Sequence, residues 1–167
     1  MKNQINLRPA TTADIPLLRY WDGLPHILAA KGDEDWEWET ELAQTHDWRE
    51  SFMIERNGQP VGFLDIIDPA REETGYWGEI SEGVRALDIW IGEKDALGQG
   101  VGSEAMRQAL ARCFEDASVS SVLVDPMADN PRAHRFYERL GFRFVEKRRF
   151  GTDDCYVYRL LRRDVEV

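Results

Sequence analysis

Cysteine is scarce in this chain of 167 residues: Cys113 and Cys155 lie far apart and show no metal-type spacing. That excludes a disulfide scaffold and a thiolate metal centre, and both read as packing residues rather than nucleophiles. The three histidines, His26, His46 and His134, show no ligand spacing either and read as surface or packing residues, so no metal is expected. Long apolar runs are missing, and "MKNQINLRPA" has no signal-peptide pattern, so the expectation is a soluble cytoplasmic protein with no membrane partner. Basic residues are the minority, 21 against 31 acidic ones, for a formal charge of −10. This balance disfavours nucleic acid and favours a cationic partner, although acidity alone also serves solubility; the placement of the acids has to decide. Repeats, low-complexity tracts and linkers are absent, so residues 1–167 read as a single domain, with 43% hydrophobic residues to supply one core.

What is present alternates strand and helix signals. "INLRPAT" reads as a first strand, followed by a helix capped near Thr12, with Asp14 in its first turn, running to about Tyr20. A second helix is expected within residues 34–48. "SFMIERNGQPVGFLDIID" is a hairpin turning at Asn57-Gly58, the pair that best tolerates positive φ. "VRALDIWI" gives a strand, and "SEAMRQALARCFED" a helix with Ala105, Met106, Ala109, Leu110 and Cys113 on one face. "SSVLVDP" is a short buried strand. "PRAHRFYERL" is a helix opened by Pro131 and closed by Gly141, and "RFVEKRRF" and "DCYVYRL" are final strands. The order is roughly βααββ, then βαβαββ, an α/β (α+β) domain with a mixed sheet.

Two segments carry chemistry. In "ALGQGVGSEAM", Gly98, Gly100 and Gly102 sit between a strand and a helix, where unpaired amides and the helix dipole favour an anion such as phosphate. It is neither a nucleotide P-loop, since Ser103-Glu104 replaces the Lys-Ser/Thr pair, nor a dinucleotide fingerprint, since the glycines are spaced by two. In "DNPRAHRFYERLGF", Asn130, Ala133 and Tyr137 fall at i, i+3 and i+7, on one helix face.

Together, "LGQGVG" and "N…A…Y…GF" resemble the GNAT superfamily of acetyl-CoA-dependent N-acyltransferases, and the likeness covers nearly the whole chain in element order. It implies a mixed, mostly antiparallel central sheet flanked by helices. It implies also that Leu97, Gly98, Gln99, Gly100, Val101, Gly102 and Ser103 hold the pyrophosphate of coenzyme A through main-chain amides, and that the helix with Asn130 and Ala133 lines the pantetheine arm. Leu97 stands where the family often has glutamine or a basic residue. "YWGEISEGVRALDIWIGEKDALGQGVG" with "DPMADNPRAHRFYERLGF" is similar to the aminoglycoside 6'-N-acetyltransferase branch, whose tryptophan pair falls on Tyr76 and Trp77.

Acyl transfer to an amine needs a base, a polarised carbonyl and a proton for the thiolate. Asp88 interrupts an apolar strand on the face of Ala86 and Trp90 and is the candidate base or amine-binding group. The resemblance makes Tyr137 the acid, and a main-chain N–H around Ile89, Trp90 and Ile91, as far as Gly92, the carbonyl donor. Carboxylates beside aromatic faces suit a hydroxylated polycation, so Tyr76, Trp77, Glu79, Asp88 and Asp125 are the expected substrate residues. The acidic run Asp33 to Glu41, with Trp36 and Trp38, reads as the rim of a cationic-substrate cleft, because exposed tryptophans need a partner, or else as a solvated helix face. The implied activity is direct, ternary-complex transfer of an acetyl group to the 6'-amino group of an aminoglycoside by a monomer or homodimer. The alternatives are a siderophore or polyamine N-acyltransferase and a noncatalytic CoA-binding module.

Overall fold

The computed structural model describes residues 4–165. Seven strands form one sheet in the order β1-β2-β3-β4-β5-β7-β6: β1 (Ile5–Pro9), β2 (Arg49–Arg56), β3 (Gln59–Ile67), β4 (Val84–Ile91), β5 (Ser121–Val124), β6 (Arg143–Phe150) and β7 (Asp153–Leu161). β1 with β2, β5 with β7 and β6 with β7 are antiparallel, while β4 and β5 run parallel, from Val84↔Ser121 to Ala86↔Leu123. Among the described residues five α-helices accompany them: α1 (Ile15–Asp22), α2 (Pro25–Lys31), α3 (Trp38–Ala43), α4 (Val101–Glu115) and α5 (Pro131–Arg139). The mixed, mostly antiparallel sheet with flanking helices is as expected. By contacts the chain groups into two compact units, one of residues up to Asp65 with Ile89–Gln108, the other of Ile66–Asp88 with Ala109 onward. No helix among the described residues is long and apolar enough to cross a membrane.

In the first unit the hairpin turns at Asn57 (φ 52°) and Gly58 (φ 82°), both left-handed, as a two-residue turn matched to strand twist requires. The first helical segment differs from expectation. Thr11, not Thr12, is the cap of a 3-10 turn (Thr12–Asp14), and Asp14 returns its carboxylate to the Thr11 N–H in a reciprocal capping box. That carboxylate also takes two hydrogen bonds from Arg8, at 2.9 and 3.0 Å. Helix α1 then continues to Asp22.

Between Trp21 and Trp48 the chain builds two short helices rather than one. Pro25 occupies the first turn of α2, a strong start that the hydrophobic pattern had hidden, and α3 covers only Trp38–Ala43. Trp21, Trp38, Phe63 and Trp90 are buried together with Leu18, Ile27 and Met53, and Trp36 packs against them. Trp36 and Trp38 are therefore core anchors, and the expectation that they sit exposed beside a cleft is overturned. The acids around them have local partners: Asp35 and Glu39 both bind Arg19, and Glu41 binds Arg49.

In the second unit, α5 is capped by Asn130, whose Oδ1 accepts the Ala133 N–H at 3.2 Å, with Pro131 in the first turn. The helix ends at Gly141, at φ 101°, where the chain turns towards β6. On α4 the expected apolar face is buried at Ala105, Met106, Ala109, Leu110 and Cys113. Both cysteines are free thiols in packed surroundings.

Candidate active site

In the first unit, β4 leads through a 3-10 turn (Lys94–Ala96) into Leu97 and the glycine turn. Gly98 and Gly100 have φ of 70° and 78°, and a Cβ on either would meet no atom within 4 Å. Glycine is needed there for backbone shape, and the open space leaves the main chain approachable. Gly102 lies inside the first turn of α4 instead of in the turn itself. The amides of Val101, Gly102 and Ser103 are then first-turn groups, which no helical carbonyl can take. Two left-handed glycines with open space, followed by first-turn amides, fit a diphosphate.

Upstream, the end of β4 narrows the choice of carbonyl donor. Gly92 and Glu93 both donate to the Val61 carbonyl, at 2.8 and 3.1 Å, a two-on-one pairing that marks a β-bulge and occupies the Gly92 N–H. Strand alternation then directs the Trp90 main chain towards β3 and the amides of Ile89 and Ile91 away from it. The Trp90 side chain is buried against Phe63, ring centroids 4.9 Å apart, so its place is in the core.

The second unit gathers Tyr76, Asp88, Asp125 and Tyr137. Asp125 follows directly on β5 and accepts a hydrogen bond from the Tyr76 hydroxyl at 2.5 Å. Burial pushes the Asp125 carboxyl up to about 7, and the bonds from Tyr76 and from an amide, with the Arg148 charge nearby, hold it from going higher. Tyr137 is 7% exposed, its ring packed edge-on to Phe142. Burial, then the charges of Asp88 and Asp125, raise its phenol far above the ordinary tyrosine range. A hydroxyl so placed keeps its proton and can hydrogen-bond to, or protonate, a nearby anion. Arg85, on the same strand as Asp88, lies 3.4 Å from Asp68 and 3.6 Å from Asp116.

Tyr76 and Trp77 have different fates. Tyr76 is 46% exposed and stacks parallel on Phe150 at 4.5 Å, presenting a ring face, whereas Trp77 is 5% exposed. Trp77 packs edge-on to Phe150 at 5.2 Å and offers no face to a ligand, which corrects its expected role as a substrate residue. Its carbonyl accepts from Arg148 at 3.0 Å. Glu79 lies exposed on the loop. Asn130 and the Ala133 amide, expected along a pantetheine arm, are bonded to each other as the α5 cap. Cys155 is pushed up to about 12, first by burial and then by Asp125, and is no nucleophile.

Sequence reasoning missed Arg148, the cation that faces Asp125, and Glu72. The Glu72 carboxylate accepts from the Thr74 amide, the Thr74 hydroxyl and the Tyr76 amide, at 2.8, 2.9 and 3.1 Å, and so shapes the turn that presents Tyr76. The short spacing from Glu72 to Thr74 was the available signal. Arg148 gave none, because it sits among other basic residues on β6.

Residues 10–150 match the family model described as an acetyltransferase (GNAT) domain. The chain belongs to the GNAT acetyltransferase family. An aminoglycoside N(6')-acetyltransferase type 1 from Klebsiella pneumoniae is 29% identical over 151 residues, 84% of this chain and 74% of that protein. A kanamycin resistance protein from Rhizobium radiobacter is 36% identical over 72 residues, 42% of this chain and 67% of that one. Among solved structures, the aminoglycoside acetyltransferase AAC(6')-Ib in complex with coenzyme A and kanamycin superposes with a TM-score of 0.84, at 25% identity over 96% of each chain. The spermidine N-acetyltransferase of Vibrio cholerae, at 18% identity, shares the fold, with a TM-score of 0.74 over 96% of this chain and 97% of that one. This GNAT member thus combines an open glycine turn with an acidic, tyrosine-bearing cluster.

Proposed function

We propose that this acetyltransferase moves the acetyl group of acetyl-CoA to the 6'-amino group of an aminoglycoside, by direct attack without a covalent enzyme intermediate. The observation that carries the reading is the juxtaposition of Asp88, Asp125 and the buried phenol of Tyr137. Two carboxylates bind a cationic amine, while the nearby phenol is held protonated by burial and by those same charges. The likeness to aminoglycoside acetyltransferases over most of the chain supports the substrate class.

In this reading the amides of Gly98 to Ser103 hold the pyrophosphate, and the Ile91 N–H donates to the thioester carbonyl oxygen. Asp88 binds the ammonium and takes the proton it sheds, directly or through water, because a carboxylate is a weak base for an ammonium. The neutral nitrogen attacks the carbonyl carbon, the C–N bond forms and the C–S bond breaks. Tyr137 stands ready to protonate the departing thiolate, and the surplus proton on the acylated nitrogen leaves to solvent, the product amide keeping one N–H. Asp125 and the Tyr76 ring hold the rest of the polycation by charge and stacking. Working inside the cell, where acetyl-CoA is made, follows from this reading.

Thiol release from acetyl-CoA over a panel of 6'-amino aminoglycosides and simple polyamines tests the proposal, with Asp88→Asn as the comparison. Turnover of the 6'-amino compounds that collapses in the variant supports it. Turnover of polyamines alone, or of nothing while acetyl-CoA still binds, overturns it.

A further inference from the structure

The end of β4 is held in place by side chains that take no part in the chemistry described so far. His26, on α2, has its Nε2 3.0 Å from the Ile91 carbonyl oxygen. A carbonyl only accepts, so Nε2 carries the hydrogen and the tautomer is fixed. The other end of the same peptide group, the Gly92 N–H, is held by the Val61 carbonyl at 2.8 Å. The peptide plane between Ile91 and Gly92 is therefore clamped at both ends, by a helix on one side and by β3 on the other.

Trp21 adds a steric stop to this clamp. A Cβ built on Gly92 would lie 2.0 to 2.5 Å from three atoms of the Trp21 indole, so the ring is seated directly on the Gly92 backbone. Trp21 is fully buried. A bulge carries one residue more than its partner strand and can relax by twisting. Here the side chains of α1 and α2 remove that freedom. The amide next to the clamped plane is the Ile91 N–H, which alternation turns away from β3.

We infer that His26, backed by Trp21, is a positioning residue that fixes the direction of the Ile91 N–H through the neighbouring peptide plane, and so sets how strongly the thioester carbonyl is polarised. The inference rests on the reading of this chain as an acetyl-CoA-dependent transferase but not on the identity of the amine. His26 touches a main-chain carbonyl and not the reacting atoms. Hydrogen-bond donors to a developing oxyanion act through aim, and a misplacement of about 1 Å can cost on the order of 100-fold.

Acetyl-CoA labelled with carbon-13 at the thioester carbonyl provides a readout that needs no acceptor. Its carbonyl stretch is measured by infrared difference spectroscopy on the wild type, His26→Ala and His26→Gln, with CoA affinity and melting temperature measured in parallel. Glutamine offers an N–H near the position of Nε2 and serves as the rescue. The expected result is a red shift on binding to the wild type that shrinks in His26→Ala and returns in His26→Gln, with CoA affinity unchanged. In turnover, kcat of the alanine variant falls roughly tenfold or more while KM for acetyl-CoA holds.

An unchanged red shift in a folded His26→Ala protein overturns the inference, as does a wild type with no red shift. If His26→Ala does not fold, the glutamine variant decides: a red shift as in the wild type supports the clamp, and its loss with CoA still bound contradicts it. A wild type that shows the red shift but acetylates no aminoglycoside defeats the proposed substrate and leaves the clamp standing.

Discussion

The hydroxyl of Tyr76 donates to the carboxylate of Asp125 at 2.5 Å, while its ring lies flat on Phe150. One residue thus presents an aromatic face and favours the ionised form of an acid that burial pushes up to about 7. Removing the hydroxyl alone, as Tyr76→Phe, keeps the stack and deletes the bond that restrains the Asp125 carboxyl from rising beyond about 7. The expected outcome is a weaker aminoglycoside complex at neutral pH, with affinity recovering at higher pH as the carboxyl ionises. Titration calorimetry across pH 6 to 9 (about the range where such a group titrates) reads the displacement, and identical pH profiles for wild type and variant refute the role.

Tyr137 is a phenol buried beside two carboxylates, and the proposed mechanism makes it the proton donor. Tyr137→Phe preserves the packing against Phe142 and removes the proton, so kcat is expected to fall roughly 100-fold with little change in KM for acetyl-CoA. Steady-state kinetics decide this, and a kcat within twofold of the wild type (about 0.4 kcal/mol) contradicts the assignment.

Asp65 is wholly buried, accepts a hydrogen bond from Ser51 and lies 3.7 Å from Arg49. Burial raises its carboxyl from 3.8 to about 6, because the attraction of Arg49 only partly offsets desolvation. The folded state therefore binds this proton more tightly than the unfolded chain. The stabilisation is fully present below about pH 4 and is lost as pH rises through about 6, amounting to on the order of 3 kcal/mol across the window. Asp65→Asn is expected to remove that segment of the stability profile in urea unfolding between pH 4 and 6, and an unaltered slope sinks the claim.

Two glycines are expected to fail in different ways. Gly92→Ala drives a methyl group into the Trp21 ring and costs several kcal/mol of stability (about 3 or more). Gly100→Ala meets open space at φ 78° and costs about 1–2 kcal/mol of backbone strain, but it stiffens the turn and weakens CoA binding. Thermal melts with and without CoA separate the two. A Gly100→Ala protein with undiminished CoA affinity refutes the cradle.

Much of this site was legible in the chain itself. The glycine turn, the run around Asp88 and the "DNPRAHRFYERLGF" helix are local patterns, so their spacing and the family resemblance they carry single them out as candidates. Asn57-Gly58 announced its hairpin for the same reason. Residues 21–48 were harder to read because their organisation is tertiary: Trp36 and Trp38 are anchored by Phe63 and Trp90, far away in sequence, and no local period records that. Trp77 was misread for a related cause. Beside the equally aromatic Tyr76, nothing in the order of residues tells which ring Phe150 buries and which it displays. Asn130 matched a motif position, yet its side chain is the helix cap, a role that its place just before Pro131 already suited. Arg148 stayed hidden because Asp125, the carboxyl that feels its charge, lies far from it in sequence.

The proposed transfer of acetyl to one particular nitrogen is tested most directly by the structure of the product. Kanamycin incubated with the enzyme and labelled acetyl-CoA should yield a monoacetylated compound whose amide correlates, by two-dimensional NMR, with the 6' methylene protons, and Asp88→Asn should form it at least roughly 100-fold more slowly. Acetylation at another nitrogen, or no product from a wild-type enzyme that binds acetyl-CoA, contradicts the account.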